Sequence, residues 1–162
     1  MNPAFGQIME PTDTTRELSR DIDKRAISQL EAIRLITKES FDKVKYTPDI
    51  TVWDTVDMFQ SPDVTLERGT GDCEDVSFLI ASIIKGLERQ KVDSVRVAIG
   101  DYREPFRAIV THAWVEVRIG ERWYICEGTT GETMNAPFFK YVPYLALYKD
   151  KLKFIKTYWK ED

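Results

Sequence analysis

Gly69-Thr70-Gly71-Asp72-Cys73-Glu74-Asp75, followed by the apolar run from Val76 to Leu87, is the stretch on which the reading of this chain turns. Val76, Leu79, Ile80, Ile83, Ile84 and Leu87 recur at helical spacing, and Cys73, three residues before Val76, projects from the same core-facing side. The pattern predicts a buried helix with a thiol on its first turn. Asp72 is the expected N-cap, and Asp75 at the third helical position completes a capping box. The unpaired backbone N–H groups and the positive end of the helix dipole favour a thiolate there, while the carboxylates of Asp72 and Glu74 oppose it. A cysteine so placed is either a nucleophile or a small residue packed at a helix start.

At 162 residues the chain suits one domain with a substantial core. Hydrophobic content of 43% beside 31% charged residues is that of an ordinary soluble globular protein, and the net charge of −4 supplies no global attraction to nucleic acid or an anionic membrane. No basic stretch leading into an apolar one opens the chain, and no apolar run is long enough to span a bilayer. Cys73 and Cys126 are the only cysteines, and they read as two free thiols in a reducing, cytoplasmic compartment.

Residues 1–13, with Pro3, Gly6 and Pro11 and no periodicity, are expected to form a loose arm ahead of a single domain over 14–162. From Thr14 or Thr15 to about Phe41, the stripe Leu18, Ile22, Ala26, Leu30, Ile33 and Ile36 predicts one long amphipathic helix. Val44 to Val52 reads as extended, and Trp53 to Gln60 as an irregular aromatic link. Ser61 and Pro62 then signal a short helix that Gly69 closes. Beyond the central helix, Ser94–Gly100 and about Ile109–Ile119 read as strands. Gly120-Glu121 fits a two-residue hairpin turn, with Arg122–Glu127 returning antiparallel. If Ile119 pairs with Arg122, Trp114 lies opposite Glu127 and His112 opposite Thr129, which makes His112 and Glu127 diagonal neighbours on one face. The other face carries Ala113, Val115, Val117, Ile119, Tyr124 and Cys126, so Cys126 is expected in the core. A last hairpin is expected from Tyr144–Tyr148 and Leu152–Tyr158.

A cysteine nucleophile needs a base and a group to orient that base. His112 is the only histidine. It shares a face with Glu127, so the residues support a set in which Cys73 attacks, His112 shuttles the proton and Glu127 holds the imidazole. Other chemistries find less support. Close Cys-x-x-Cys or His spacing is absent, so no metal is expected, and Gly69-x-Gly71 lacks the Gly-Lys-Ser/Thr of a phosphate loop, so no nucleotide or other cofactor is expected. Trp53, Phe59, Trp114, Trp123 and Tyr124 suit a substrate groove or a core, without the basic cluster that nucleic acid requires.

Gly71-Asp72-Cys73-Glu74-Asp75, Thr111-His112-Ala113-Trp114-Val115-Glu116-Val117 and Arg122-Trp123-Tyr124-Ile125-Cys126-Glu127-Gly128-Thr129 together resemble the three core blocks of the transglutaminase-like superfamily. The resemblance spans about Gln60 to Thr130 and is closest to the prokaryotic, protease-like branch. It implies a papain-like α+β fold, in which a helix opened by the cysteine packs on an antiparallel sheet bearing the histidine and the acid. In one departure, Glu127 stands where the family usually has aspartate. The resemblance also implies an oxyanion site formed by the Cys73 backbone N–H and an upstream side chain, for which Gln60 and then Trp53 are the candidates. The expected activity is cysteine-dependent hydrolysis of, or acyl transfer from, amide bonds of a protein or peptide through a thioester. The alternatives are a catalytically idle binding or scaffold module and a peptide N-glycanase-like amidase.

Overall fold

The computed structural model describes residues 8–48, 59–148 and 151–154. Its helices are α1 (Asp13–Arg25), α2 (Gln29–Lys43), α3 (Pro62–Arg68) and α4 (Cys73–Lys85). Its strands are β1 (Lys45–Tyr46), β2 (Thr70–Gly71), β3 (Ser94–Tyr102), β4 (Val110–Ile119), β5 (Arg122–Glu127), β6 (Glu132–Asn135), β7 (Tyr141–Tyr148) and β8 (Lys151–Phe154). Strands β3 to β8 form one antiparallel sheet in the order β6-β5-β4-β3-β7-β8, and β1 and β2 form a short parallel ladder. This is the expected α+β arrangement, with the helix that Cys73 opens packed on an antiparallel sheet.

α4 is the centre of the fold because it is covered on every side. Every residue from Asp75 to Ile84 is buried, as expected of a helix enclosed between a sheet and other helices. One flank meets the inner face of the sheet, where Ala113, Val115, Val117, Tyr124 and Cys126 join Val76, Leu79, Ile80 and Ile83 in one cluster. The other flank carries small polar residues that bond to α1. The Ser82 hydroxyl lies 3.0 Å from that of Thr15, and Ser19 Oγ donates to the Ile83 carbonyl at 2.7 Å.

The single long helix expected from Thr14 to Phe41 is two helices. α1 ends at Ala26, whose extended backbone (ψ 136°) turns the chain, and Ser28 caps α2 by accepting the Glu31 N–H at 3.1 Å. The apolar stripe passes unbroken across the turn, so periodicity alone reads as continuous. The punctuation lies in Ser28-x-x-Glu31, a capping-box spacing. The loose arm also ends earlier than expected. Met9 is fully buried in the core, the Glu10 carbonyl accepts from Ser82, and Thr12 caps α1.

Nearer the site, the expectations for α3 hold. Ser61 caps it, Pro62 opens it and Gly69 ends it at φ 65°, a conformation that costs most side chains more than glycine. The expected extension from Val44 is described only at β1 and on to residue 48; residues 49–58, with Trp53, lie outside the described residues. The final hairpin is longer on its first strand than expected, beginning at Tyr141, and the expected strand beyond Phe154 lies outside the described residues.

Candidate active site

The site is assembled where the first turn of α4 meets the β4–β5 hairpin. Asp72 Oδ1 accepts the Glu74 and Asp75 N–H groups at 3.0 and 3.1 Å, and Asp75 Oδ2 accepts the Asp72 N–H at 3.1 Å, which completes the capping box. Such caps stabilise a helix start by about 1 kcal/mol each and fix the direction of the first residue. That residue is Cys73. The backbone of Ala113, the residue after His112 on β4, counts among the groups that act on it, drawing the thiol pKa down. The approach of helix to hairpin depends on Gly128, because a Cβ there would stand 2.4 Å from Val76 Cγ1.

The two-residue turn sets the expected register, with Ile119 opposite Arg122 through to Val115 opposite Cys126. His112 and Glu127 therefore share the outer face of the sheet, and Nε2 of His112 lies 2.7 Å from Glu127 Oε2. Glu127 is 2% exposed, yet each of its oxygens meets two donors. Oε1 accepts the Thr129 N–H (3.0 Å) and hydroxyl (2.7 Å), and Oε2 accepts Tyr141 Oη–H (2.9 Å) as well as the imidazole. Burial raises the acid's pKa, but the hydrogen bond and charge of His112, with the Thr129 donors, outweigh it and hold the carboxyl below the usual glutamate value. An ionised Glu127 can only accept, so Nε2 carries a proton and Nδ1 is the nitrogen left to exchange one. The imidazole is packed between Tyr102 and Trp114, with ring centroids 5.7 and 6.1 Å away.

The thiol is in the opposite condition. Burial, then the charge and hydrogen bonding of Glu74, push the Cys73 pKa well above the ordinary thiol value. Sγ donates to Glu74 Oε2 at 3.2 Å. The expected pull of the helix N-terminus toward a thiolate is thus overcome by desolvation and a neighbouring carboxylate. Burial and the charges of Glu74 and Asp75 likewise push Asp72 up to about 8.

The remaining sequence candidates are placed elsewhere. Gln60 is buried, and its side-chain N–H groups bond to Asp75 Oδ2 (2.8 Å) and the Thr70 carbonyl (3.1 Å), while its backbone N–H bonds to Asp75 Oδ1 (2.7 Å). Both amide hydrogens are engaged, so Gln60 anchors the start of α4 and presents none to an oxyanion. Trp114 is fully buried and donates its indole N–H to Glu116 Oε1 at 2.9 Å, so it backs the imidazole without facing a substrate. Trp53 lies outside the described residues. Cys126 is a free thiol with no exposure, in the core as expected, and burial pushes it up to about 11. Tyr141 was not among the sequence candidates; it comes from β7, fourteen residues beyond Glu127, and no local motif marks it. Beneath Trp114, buried Glu116 pairs with buried Arg96, whose guanidinium lies 4.2 Å from the Trp123 ring centroid. Among the described residues no group of three or more metal-ligating side chains is gathered, and no helix is long and apolar enough to cross a membrane.

Known proteins agree with this architecture. The family model described as the transglutaminase-like superfamily matches residues 16–128. A proposed cysteine protease from Cytophaga hutchinsonii superposes with a TM-score of 0.58 at 17% identity, over 83% of this chain and 46% of that one. This chain therefore spans just under half of that protein's length. Calcium-bound LapG of Legionella pneumophila superposes with a TM-score of 0.63 at 15% identity, covering 91% of this chain and 90% of its own. A further structure of LapG from the same organism gives 0.62 at 14%, over 90% and 86%. At such identities the likeness is one of fold. No curated protein matches the chain by sequence. The family match over most of the chain carries the assignment: this protein belongs to the transglutaminase-like superfamily.

Proposed function

We propose that this chain is a cysteine-dependent hydrolase or acyltransferase acting on amide bonds, with Cys73 as nucleophile, His112 as base and Glu127 as the acid that orients it. One observation carries the reading: a buried, fully hydrogen-bonded Glu127 holds His112 Nε2 at 2.7 Å, and the next residue on β4, Ala113, acts through its backbone on the Cys73 thiol. Nδ1 of His112 takes the thiol proton as sulfur attacks the carbonyl carbon. The resulting oxyanion lies near the backbone N–H of Cys73, at the positive end of α4, which stabilises negative charge. Collapse expels the amine, which takes the proton from Nδ1, and leaves a thioester that water or a second amine resolves. Hydrolysis is favoured over cross-linking because the family resemblance is to the protease-like branch. No step is assigned to a metal.

Two measurements test this. Alkylation of Cys73 by limiting iodoacetamide near neutral pH, followed by peptide mapping, is expected to be faster than that of Cys126 and to slow in His112→Ala. Turnover of a panel of peptide, glutamine-amide and glycopeptide substrates is expected to disappear in Cys73→Ala, and the panel separates protease from transglutaminase-like or glycanase-like chemistry. A Cys73 alkylation rate indifferent to His112, with no Cys73-dependent turnover, would overturn the proposal. The rival reading, an idle binding module, draws on the raised thiol pKa and the Cys73–Glu74 contact. It requires that Cys73→Ala leave partner binding and host phenotype unchanged.

A further inference from the structure

We propose that Tyr141 is a positioning residue of this site: its phenol shares Glu127 Oε2 with the His112 imidazole, locks the acid in place and limits how strongly it draws on the base. The inference rests on the reading of His112 as the base. The Tyr141 hydroxyl reaches Oε2 at 2.9 Å, and the imidazole reaches the same oxygen at 2.7 Å. A carboxylate oxygen that accepts two donors divides its charge between them, so each bond is weaker than it would be alone. The phenol therefore takes a share of the carboxylate charge that an unshared glutamate would offer the imidazole alone.

The geometry leaves Tyr141 little freedom. It is 3% exposed, lies opposite Tyr102 in the β3–β7 ladder, and donates its backbone N–H to the Phe138 carbonyl at 2.9 Å. Its ring stands edge-on to Trp114 at 5.1 Å and to Tyr102 at 5.2 Å, the two rings that flank His112. This accounts for the departure at Glu127. Glutamate has one more rotatable bond than aspartate, and two donors on each oxygen remove that freedom. Burial and the charge of Glu127 raise the Tyr141 pKa far beyond the ordinary phenol value, so the hydroxyl stays a donor.

The other titratable groups that act on Tyr141 or Glu127 here are Tyr102 from β3 with its hydroxyl 2.7 Å from Glu104 and Arg107 beyond, Cys126 from β5, and Glu132 from β6. Tyr141→Phe changes none of them. His112 is the only histidine, so ¹⁵N NMR of the histidine-labelled full chain reads one imidazole without turnover. In Tyr141→Phe the titration midpoint is expected to move to higher pH by roughly half a pH unit or more, and the pH profile of Cys73 alkylation to move with it. Fluorotyrosine at position 141, a stronger donor of nearly the same shape, is expected to move the midpoint to lower pH. A midpoint that stays put in both proteins, whatever the melting temperature does, would overturn the proposal. Should Tyr141→Phe fail to fold, the fluorotyrosine protein decides alone by the same criterion. Failure of the catalytic reading itself has a different signature, because alkylation would then ignore His112 while the imidazole still responded to Tyr141.

Discussion

The two halves of the site differ in how far folding prepares them. On the sheet, Glu127 is buried, ionised and met by four donors, and the imidazole beside it is wedged between two aromatic rings. On the helix, Cys73 is directed by a capping box but held protonated, its hydrogen on Glu74 and its pKa raised by burial. In the proposed reaction the base is organised before substrate arrives, whereas the nucleophile needs a change of partner. Sheet ladders fix the strands that carry His112 and Glu127 through backbone pairing. A side chain on a first helical turn has only its cap and its neighbours, and here one neighbour is a carboxylate.

This contrast can be broken at several points. Cys73→Ala is expected to cost the most, roughly 10³-fold or more in amide turnover, with the fold retained by circular dichroism. Next, Glu127→Ala is expected to cost about 10²- to 10⁴-fold in kcat, and it also strips partners from Tyr141, Thr129 and His112. Leaving such buried groups unsatisfied lowers stability by about 1–3 kcal/mol, readable by urea unfolding. A smaller effect of opposite sign is expected from Glu74→Gln, which removes a charge that raises the thiol pKa. The alkylation–pH profile of Cys73 should move to lower pH, and below the pKa a profile displaced by one pH unit corresponds to about tenfold more thiolate. An unchanged profile would mean that burial alone restrains the thiol.

The smallest effect concerns acid. Because the folded protein lowers the Glu127 pKa below 4.5, its contribution to stability is complete above that pH and is lost as pH falls through the folded value. Urea unfolding between pH 6 and pH 3 is therefore expected to show a steeper loss in the wild type than in Glu127→Gln. Parallel curves would remove the electrostatic half of the comparison.

Local patterns made much of this legible. The caps of α4 follow from Asp72 and Asp75, the end of α3 from Gly69, and the pairing of His112 with Glu127 from a two-residue turn and strand parity. Each rests on residues within one element or one hairpin. The break at Ala26–Ser28 was equally local, but the apolar stripe on both sides of it masks a capping signal of four residues. Gln60 is a different case. The family resemblance offered it as an oxyanion donor, and only the placement of Asp75 and the Thr70 carbonyl shows where its amide hydrogens go.

By itself, then, the sequence determined the secondary elements, the hairpin register and the residue types able to carry acyl chemistry, because periodicity, caps and turns act over a few residues. Tertiary structure alone decided the electrostatics. Whether Cys73 is a thiol or a thiolate depends on how much water reaches it, and Glu127 depends on a phenol from a strand that lies three places away in the sheet. Desolvation and long-range hydrogen bonds are properties of packing, and no spacing along the chain encodes them.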